Sequence, residues 1–119
     1  MKAILCSMIA AVALLPAFAL AHAHLVRSSP AENAVLEKPP PSATLVFAEP
    51  VTLTAVKIES TDGQKTDVKL PSTKPAAEAS VALPTLALGR YKMSWRAVSK
   101  DGHVMSGDIH FTVGAKGGP

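Results

Sequence analysis

Tyr91-Lys92-Met93-Ser94-Trp95-Arg96-Ala97 alternates apolar and polar side chains without a break. In an extended chain successive side chains point to opposite faces, so Tyr91, Met93, Trp95 and Ala97 share one face and Lys92, Ser94 and Arg96 the other. The same period returns at Ile109, Phe111 and Val113 against His110 and Thr112, which turns His110 outward. Leu45 and Phe47, Val51 and Leu53, and Val56 and Ile58 give three shorter patterns, and Ser80 to Leu83 a weaker one ahead of Pro84. Turn-forming residues separate them: Pro39-Pro40-Pro41, Glu49-Pro50, Thr61-Asp62-Gly63-Gln64, Leu88-Gly89-Arg90 and Asp101-Gly102. No window sustains the apolar period of a helix. About seven short strands at such spacing predict an all-β, Greek-key β-sandwich with Trp95 at its centre. Pro71 to Ala79 reads as a long surface loop and Gly114 to Pro119 as a frayed tail.

A chain of 119 residues holds one domain. Its 12 Lys and Arg against 9 Asp and Glu give a mild +3, and the basic residues are scattered rather than clustered as in a nucleic-acid binder. The single cysteine, Cys6, lies in the apolar opening segment. A disulfide scaffold, a thiolate zinc site and a cysteine nucleophile are therefore excluded. Residues 1–23 carry Lys2, an apolar run from Ala3 to Leu20 interrupted by Pro16, and then Ala21-His22-Ala23, a small-x-small cleavage pattern. This is a secretory signal peptide, leaving residues 24–119 as the exported, extracytoplasmic domain. Pro16 and the lack of a basic stop-transfer flank argue against a membrane anchor.

Cleavage after Ala23 makes His24 the first residue. A terminal histidine offers two nitrogens, the α-amine and imidazole Nδ1, which close a six-membered chelate ring on one metal ion. The amine must lose a proton to bind, and Cu(II), at the head of the divalent affinity order, competes best for it. Taken alone, a histidine merely tolerated at a cleavage junction is the plainer account of the residue. In Ser99-Lys100-Asp101-Gly102-His103 a carboxylate and an imidazole stand at i and i+2, projecting to the same side of an extended segment. An Asp-Gly hairpin turn followed by an incidental histidine is the plainer account of that motif. Together His24, Asp101 and His103 supply three nitrogens and one oxygen, the donor set of a square-planar Cu(II) site. Residues 24–119 contain no cysteine and only Met93 and Met105, so a soft Cu(I) cage is not expected.

The chain resembles the CopC copper-resistance family of small exported copper-binding domains, through motifs at both ends. The front carries Ala21-His22-Ala23-His24-Leu25, Ser29-Pro30-Ala31, Leu36, Pro39 and Leu45-Val46-Phe47-Ala48-Glu49-Pro50-Val51. The back carries Gly89-Arg90-Tyr91, Trp95-Arg96-Ala97-Val98-Ser99, Asp101-Gly102-His103, Gly107 and Phe111-Thr112-Val113. The resemblance implies a cupredoxin-like barrel or sandwich holding one Cu(II) ion through His24, Asp101 and His103. It also implies that Glu49, in the family's Phe-x-Glu motif, orients a ligand or a bound water, and that the membrane partner is a CopD-like copper transporter. Two departures are visible. Val68 to Leu88 lacks the Met- and His-rich insertion of members with a Cu(I) site, and Asn33 stands where glycine is usual.

The expected function is therefore non-enzymatic: periplasmic sequestration or delivery of Cu(II). A histidine-brace copper oxidase is the nearest alternative, yet Asp101 would fill a position that oxygen chemistry needs open. The aromatics after the signal, Phe47, Tyr91, Trp95 and Phe111, alternate inward rather than forming a substrate platform. A metal-free, immunoglobulin-like interaction module is the third reading. Ala19-Leu20-Ala21 is a second small-x-small pattern, and cleavage there would leave His22-Ala23-His24, a flexible terminal copper ligand independent of Asp101 and His103. Intact-mass measurement of the exported protein is expected to give a chain beginning at His24; one beginning at His22 supports the terminal ligand instead.

Overall fold

The computed structural model describes residues 24–114; the signal peptide assigned to residues 1–23 and the last five residues lie outside them. Seven strands follow in order: β1 (Leu25–Ser29), β2 (Ala34–Leu36), β3 (Ser42–Ser60), β4 (Lys65–Asp67), β5 (Ala76–Ala82), β6 (Gly89–Ser99) and β7 (Val104–Val113). They form one curled sheet in the order β1-β3-β6-β7-β2, with β4 and β5 also paired to β3. All pairings are antiparallel except β2 with β7. The all-β, seven-stranded prediction holds, and the chain contains no helix among the described residues.

Glu49-Pro50 does not end a strand. β3 runs through it for 19 residues and serves two layers of the molecule. Its first half pairs with β1 and β5, and its second half with β6 and β4. Phe47, in the first half, packs edge-on against Trp95 of β6, with ring centroids 5.1 Å apart. Trp95 is paired to Val56, nine residues further along β3. A straight strand would separate those positions by about 30 Å, so β3 must fold back between them. The bend is visible in the ladder: β3 advances from Val46 to Val51 while β5 advances only from Glu78 to Ala76.

Inward-facing positions on β3 also change parity. Ala43, Leu45, Phe47, Val51 and Leu53 are buried at odd positions, Val56 and Ile58 at even ones. The switch is a bulge: Leu53 pairs with Ala97 and Ala55 with Arg96, leaving Thr54 extra, its hydroxyl donating to the Arg96 carbonyl at 3.2 Å. Both halves thereby feed one core with Met93, Trp95, Ala97, Ile109, Phe111 and Val113. Trp95 is 7% exposed, as its alternation predicted, whereas Tyr91 is only half-buried, stacked on Phe111 with its hydroxyl donating to the Ala87 carbonyl.

Several local expectations change. β5 begins at Ala76, inside the segment read as a loop, because pairing with β3 overrides its weak apolar signal. β1, β2 and β4 carry too few alternating residues to stand out alone and form by pairing with longer neighbours. Gly114 is no frayed end: it is buried and its N–H donates to the Leu36 carbonyl at 2.7 Å. Asn33 takes the left-handed φ of 66° that its side chain tolerates. His110 faces outward as expected and there accepts a structural task. Glu32 bonds both its backbone N–H (2.8 Å) and its Nδ1 (3.0 Å), fastening the β1–β2 connection to β7.

Two expected outcomes test this packing. A Cβ on Gly107 would lie 2.8 Å from the Trp95 ring, so Gly107→Ala should lower unfolding stability by about 1–3 kcal/mol in a denaturant titration followed by Trp95 fluorescence. Hydrogen bonds from His110 to Glu32, and from Ser60 to Asp62, hold both carboxyls below their ordinary range. A depressed folded pKa stabilises above the unfolded value and the gain is lost as pH falls through the folded one. Stability should therefore drop on acidification through the carboxylate range, and Glu32→Gln combined with Asp62→Asn should flatten that drop in denaturation midpoints measured at pH 6 and pH 3.

Candidate metal centre

The bend in β3 creates an uneven pair of edges. β5 alone spans one edge, from the Ser42↔Ala82 pair to Val51↔Ala76, with a register shift between Val46 and Val51. The opposite edge is shared by two strands placed end to end. β1 occupies it up to Leu25↔Phe47, and the Ala48 N–H still donates to the His24 carbonyl at 2.9 Å. β6 takes over at Val51↔Ser99. Between these anchors lie only Glu49 and Pro50, left without a ladder partner on that side. Proline is tolerated there because it has no N–H to offer a ladder. The start of β1 and the end of β6 thus meet at one gap, and His24 and the β6–β7 hairpin stand on its two sides.

Lys100-Asp101-Gly102 forms the hairpin loop, not the extended segment assumed from the sequence. The Gly102 N–H donates to the Ser99 carbonyl at 2.9 Å, and the Ser99 N–H to the His103 carbonyl at 2.9 Å. Gly102 has φ +88°, a conformation that side chains resist, so the Asp-Gly pair is required by the turn. The turn nevertheless joins the two predicted side chains. His103 Nδ1 lies 3.2 Å from Asp101 Oδ2, with both side chains solvent-accessible. Asp101 Oδ1 accepts a hydrogen bond from the Ser99 hydroxyl, which itself accepts from the His103 N–H at 3.2 Å. The Ser99 bond, aided by the facing imidazole, holds the Asp101 carboxyl below its ordinary value and so ionised at neutral pH.

Two donor atoms on one metal at about 2.0–2.2 Å and at right angles are themselves about 2.8–3.1 Å apart. The 3.2 Å between Asp101 Oδ2 and His103 Nδ1 is close to that bite. The pair could supply two donors to a metal ion. His24 is exposed across the gap, and among the described residues no three His, Cys, Asp or Glu side chains are gathered tightly enough to hold a metal ion. Glu49 is exposed on the gap itself.

Sequence reasoning passed over Ser99, although a repeat inside the chain points to it. Ser60-Thr61-Asp62-Gly63-Gln64 at the β3–β4 hairpin follows the same Ser-x-Asp-Gly-x pattern. Its hydrogen bonds match: Gly63 N–H to the Ser60 carbonyl (2.9 Å), Ser60 N–H to the Gln64 carbonyl (3.0 Å), Ser60 hydroxyl to Asp62 Oδ1, and Gln64 N–H to Ser60 Oγ (3.3 Å). Gly63 also has φ +88°. The position of Asp101 is thus what this turn produces wherever it occurs. At the fifth position residues 99–103 carry histidine where the other turn has glutamine.

The profile of the CopC domain matches residues 25–114, a span that begins one residue after His24 and includes Glu49, Asp101 and His103. Copper resistance protein C of Xanthomonas campestris pv. juglandis is 34% identical over 113 residues, covering 87% of this chain and 88% of that protein. Copper transport protein CutJ of Bacillus subtilis is 33% identical over 109 residues, covering 87% of this chain but only 20% of its own length. Among solved structures, CopC from Methylosinus trichosporium OB3b superposes with a TM-score of 0.68 at 30% identity, covering 78% of this chain and 94% of the other. PcoC, a methionine-rich copper resistance protein from Escherichia coli, gives 0.60 at 29% identity, covering 78% and 99%. With the same curled sheet and a matching domain over most of its length, the chain belongs to the CopC family.

Proposed function

We propose that this CopC-family copper protein binds one Cu(II) ion as cargo, outside the cytoplasm, through His24, Asp101 and His103. The observation that carries the reading is the gap on the β3 edge, where the start of β1 and the Ser99–His103 hairpin converge. In the full chain the nitrogen of His24 is a peptide amide, not the free amine that closes the six-membered ring with Nδ1. Removal of residues 1–23 converts it to an amine beside its own imidazole, adding two nitrogens to the oxygen and nitrogen of the hairpin. Export is then part of site assembly, because the cleavage that releases the domain also makes a ligand. The resulting donor set, three nitrogens and an anionic oxygen, suits tetragonal Cu(II). Glu49, exposed on the gap, is the residue available to orient a water or the terminal amine.

Sequestration or delivery fits better than oxidation. Phe47, Trp95 and Phe111 are buried and Tyr91 is half-buried, so the aromatics after residue 24 offer no flat platform for a polymeric substrate. The relationship to a copper transport protein about five times longer supports delivery to a CopD-like membrane transporter, in the periplasm.

One extra residue ahead of His24 displaces the amine from the chelate. It should weaken Cu(II) binding by at least an order of magnitude in a competition titration and remove one nitrogen from the electron paramagnetic resonance pattern. His103→Gln, which gives this hairpin the fifth residue of its twin at 60–64, should retain the fold and lose tight binding. Unchanged affinity in either variant would refute the site, and peroxide-driven turnover of a polysaccharide by the copper-loaded protein would favour the oxidase.

A further inference from the structure

We propose that Ser99 is the positioning residue of this copper site, an inference that rests on the reading just given. Ser99 is the one polar side chain buried among the described residues, at 8% exposure, and it sits at the end of β6 beside the gap. Both roles of its hydroxyl are committed: it donates to Asp101 Oδ1 and accepts from the His103 N–H at 3.2 Å. The two carboxylate oxygens of Asp101 are therefore not equivalent. Oδ1 is engaged inward, and Oδ2 is left 3.2 Å from His103 Nδ1 on the exposed side. A free aspartate rotates and presents either oxygen, and each metal-binding event must then arrest it. Here that ordering is completed when the hairpin folds, so less freedom is lost on binding.

The same serine ties His103 to the turn through its backbone, so one buried hydroxyl fixes both proposed donors of the hairpin. Its twin separates this role from simple hairpin stability. Ser60 makes the corresponding bonds to Asp62 and to the Gln64 N–H, at a loop with no histidine. Ser60 and Ser99 carry the same structural duty, and Ser99 alone carries the additional one.

The experiment compares Ser99→Ala, Ser99→Thr and Ser60→Ala in the exported, processed protein, with Cu(II) alone as the probe. Affinity is read by competition titration and coordination by electron paramagnetic resonance. Losing a side chain that orients a metal ligand typically costs about 10–100-fold in affinity. Ser99→Ala should fall in that range and show more than one Cu(II) species, as the released carboxylate samples several orientations. Ser99→Thr, which keeps the hydroxyl, should restore a single species, and Ser60→Ala should bind as the wild type does. Wild-type affinity and a single spectrum in Ser99→Ala would overturn the inference while leaving the site standing. Equal weakening by Ser60→Ala would overturn it too, assigning the effect to hairpin stability. Should Ser99→Ala fail to fold, a Ser99→Thr protein that folds but binds as weakly as His103→Gln counts against the role. Unweakened binding by His103→Gln would remove the site and this inference together.

Discussion

Phe47 against Trp95 is the contact on which the rest of the molecule depends. It draws together two points nine residues apart in register along a single strand, and it can form only because β3 folds over between them. Once β3 is bent, each half needs its own edge partners. β5 bridges the bend on one side, and on the other β1 and β6 divide the edge and leave Glu49 and Pro50 between them. The core and the candidate copper site are thus two consequences of one curvature. Burial of Phe47, Leu45 and Trp95 supplies the hydrophobic driving force. The unpaired stretch it leaves on the surface has His24 on one side and the Ser99–His103 hairpin on the other.

The hairpins divide the labour differently. Residues 60–64 and 99–103 share one turn with the same hydrogen bonds and the same left-handed glycine. A turn of this kind is sufficient to explain Asp101, and the carboxylate by itself carries no functional information. Position matters instead. One copy lies at the far end of β6 and ends in Gln64; the other lies at the gap and ends in His103. The proposed half-site is then a standard structural turn with one residue changed, placed beside a second element.

His110 shows the opposite outcome for the same residue type. It too lies within hydrogen-bond distance of a carboxylate, Glu32, yet that carboxylate also takes the His110 backbone N–H and ties the β1–β2 connection to β7. The alternation around Phe111 identified His110 as outward-facing and gave no hint of Glu32, 78 residues away in sequence. The Pro71–Ala79 stretch was misread for a related reason. Its alanines carry little apolar signal, and β5 gains its order from backbone pairing with β3 rather than from its own side chains.

The sequence by itself determined the alternation of β6 and β7, the turn at Asp101-Gly102 and the outward face of His110, and it named His24, Asp101 and His103 as candidate donors. Each is encoded within a few residues, by the two-residue period of an extended chain or by the backbone demands of a turn. Tertiary structure alone decided that β3 continues through Pro50, that Thr54 bulges to reverse the inward parity, and that β1 and β6 abut at the gap. It also decided that Ser99 is buried and spends its hydroxyl on Asp101 and His103. Those features depend on register between segments distant along the chain, and register is fixed by the shared core and the bend that closes it, not by any local run of residues.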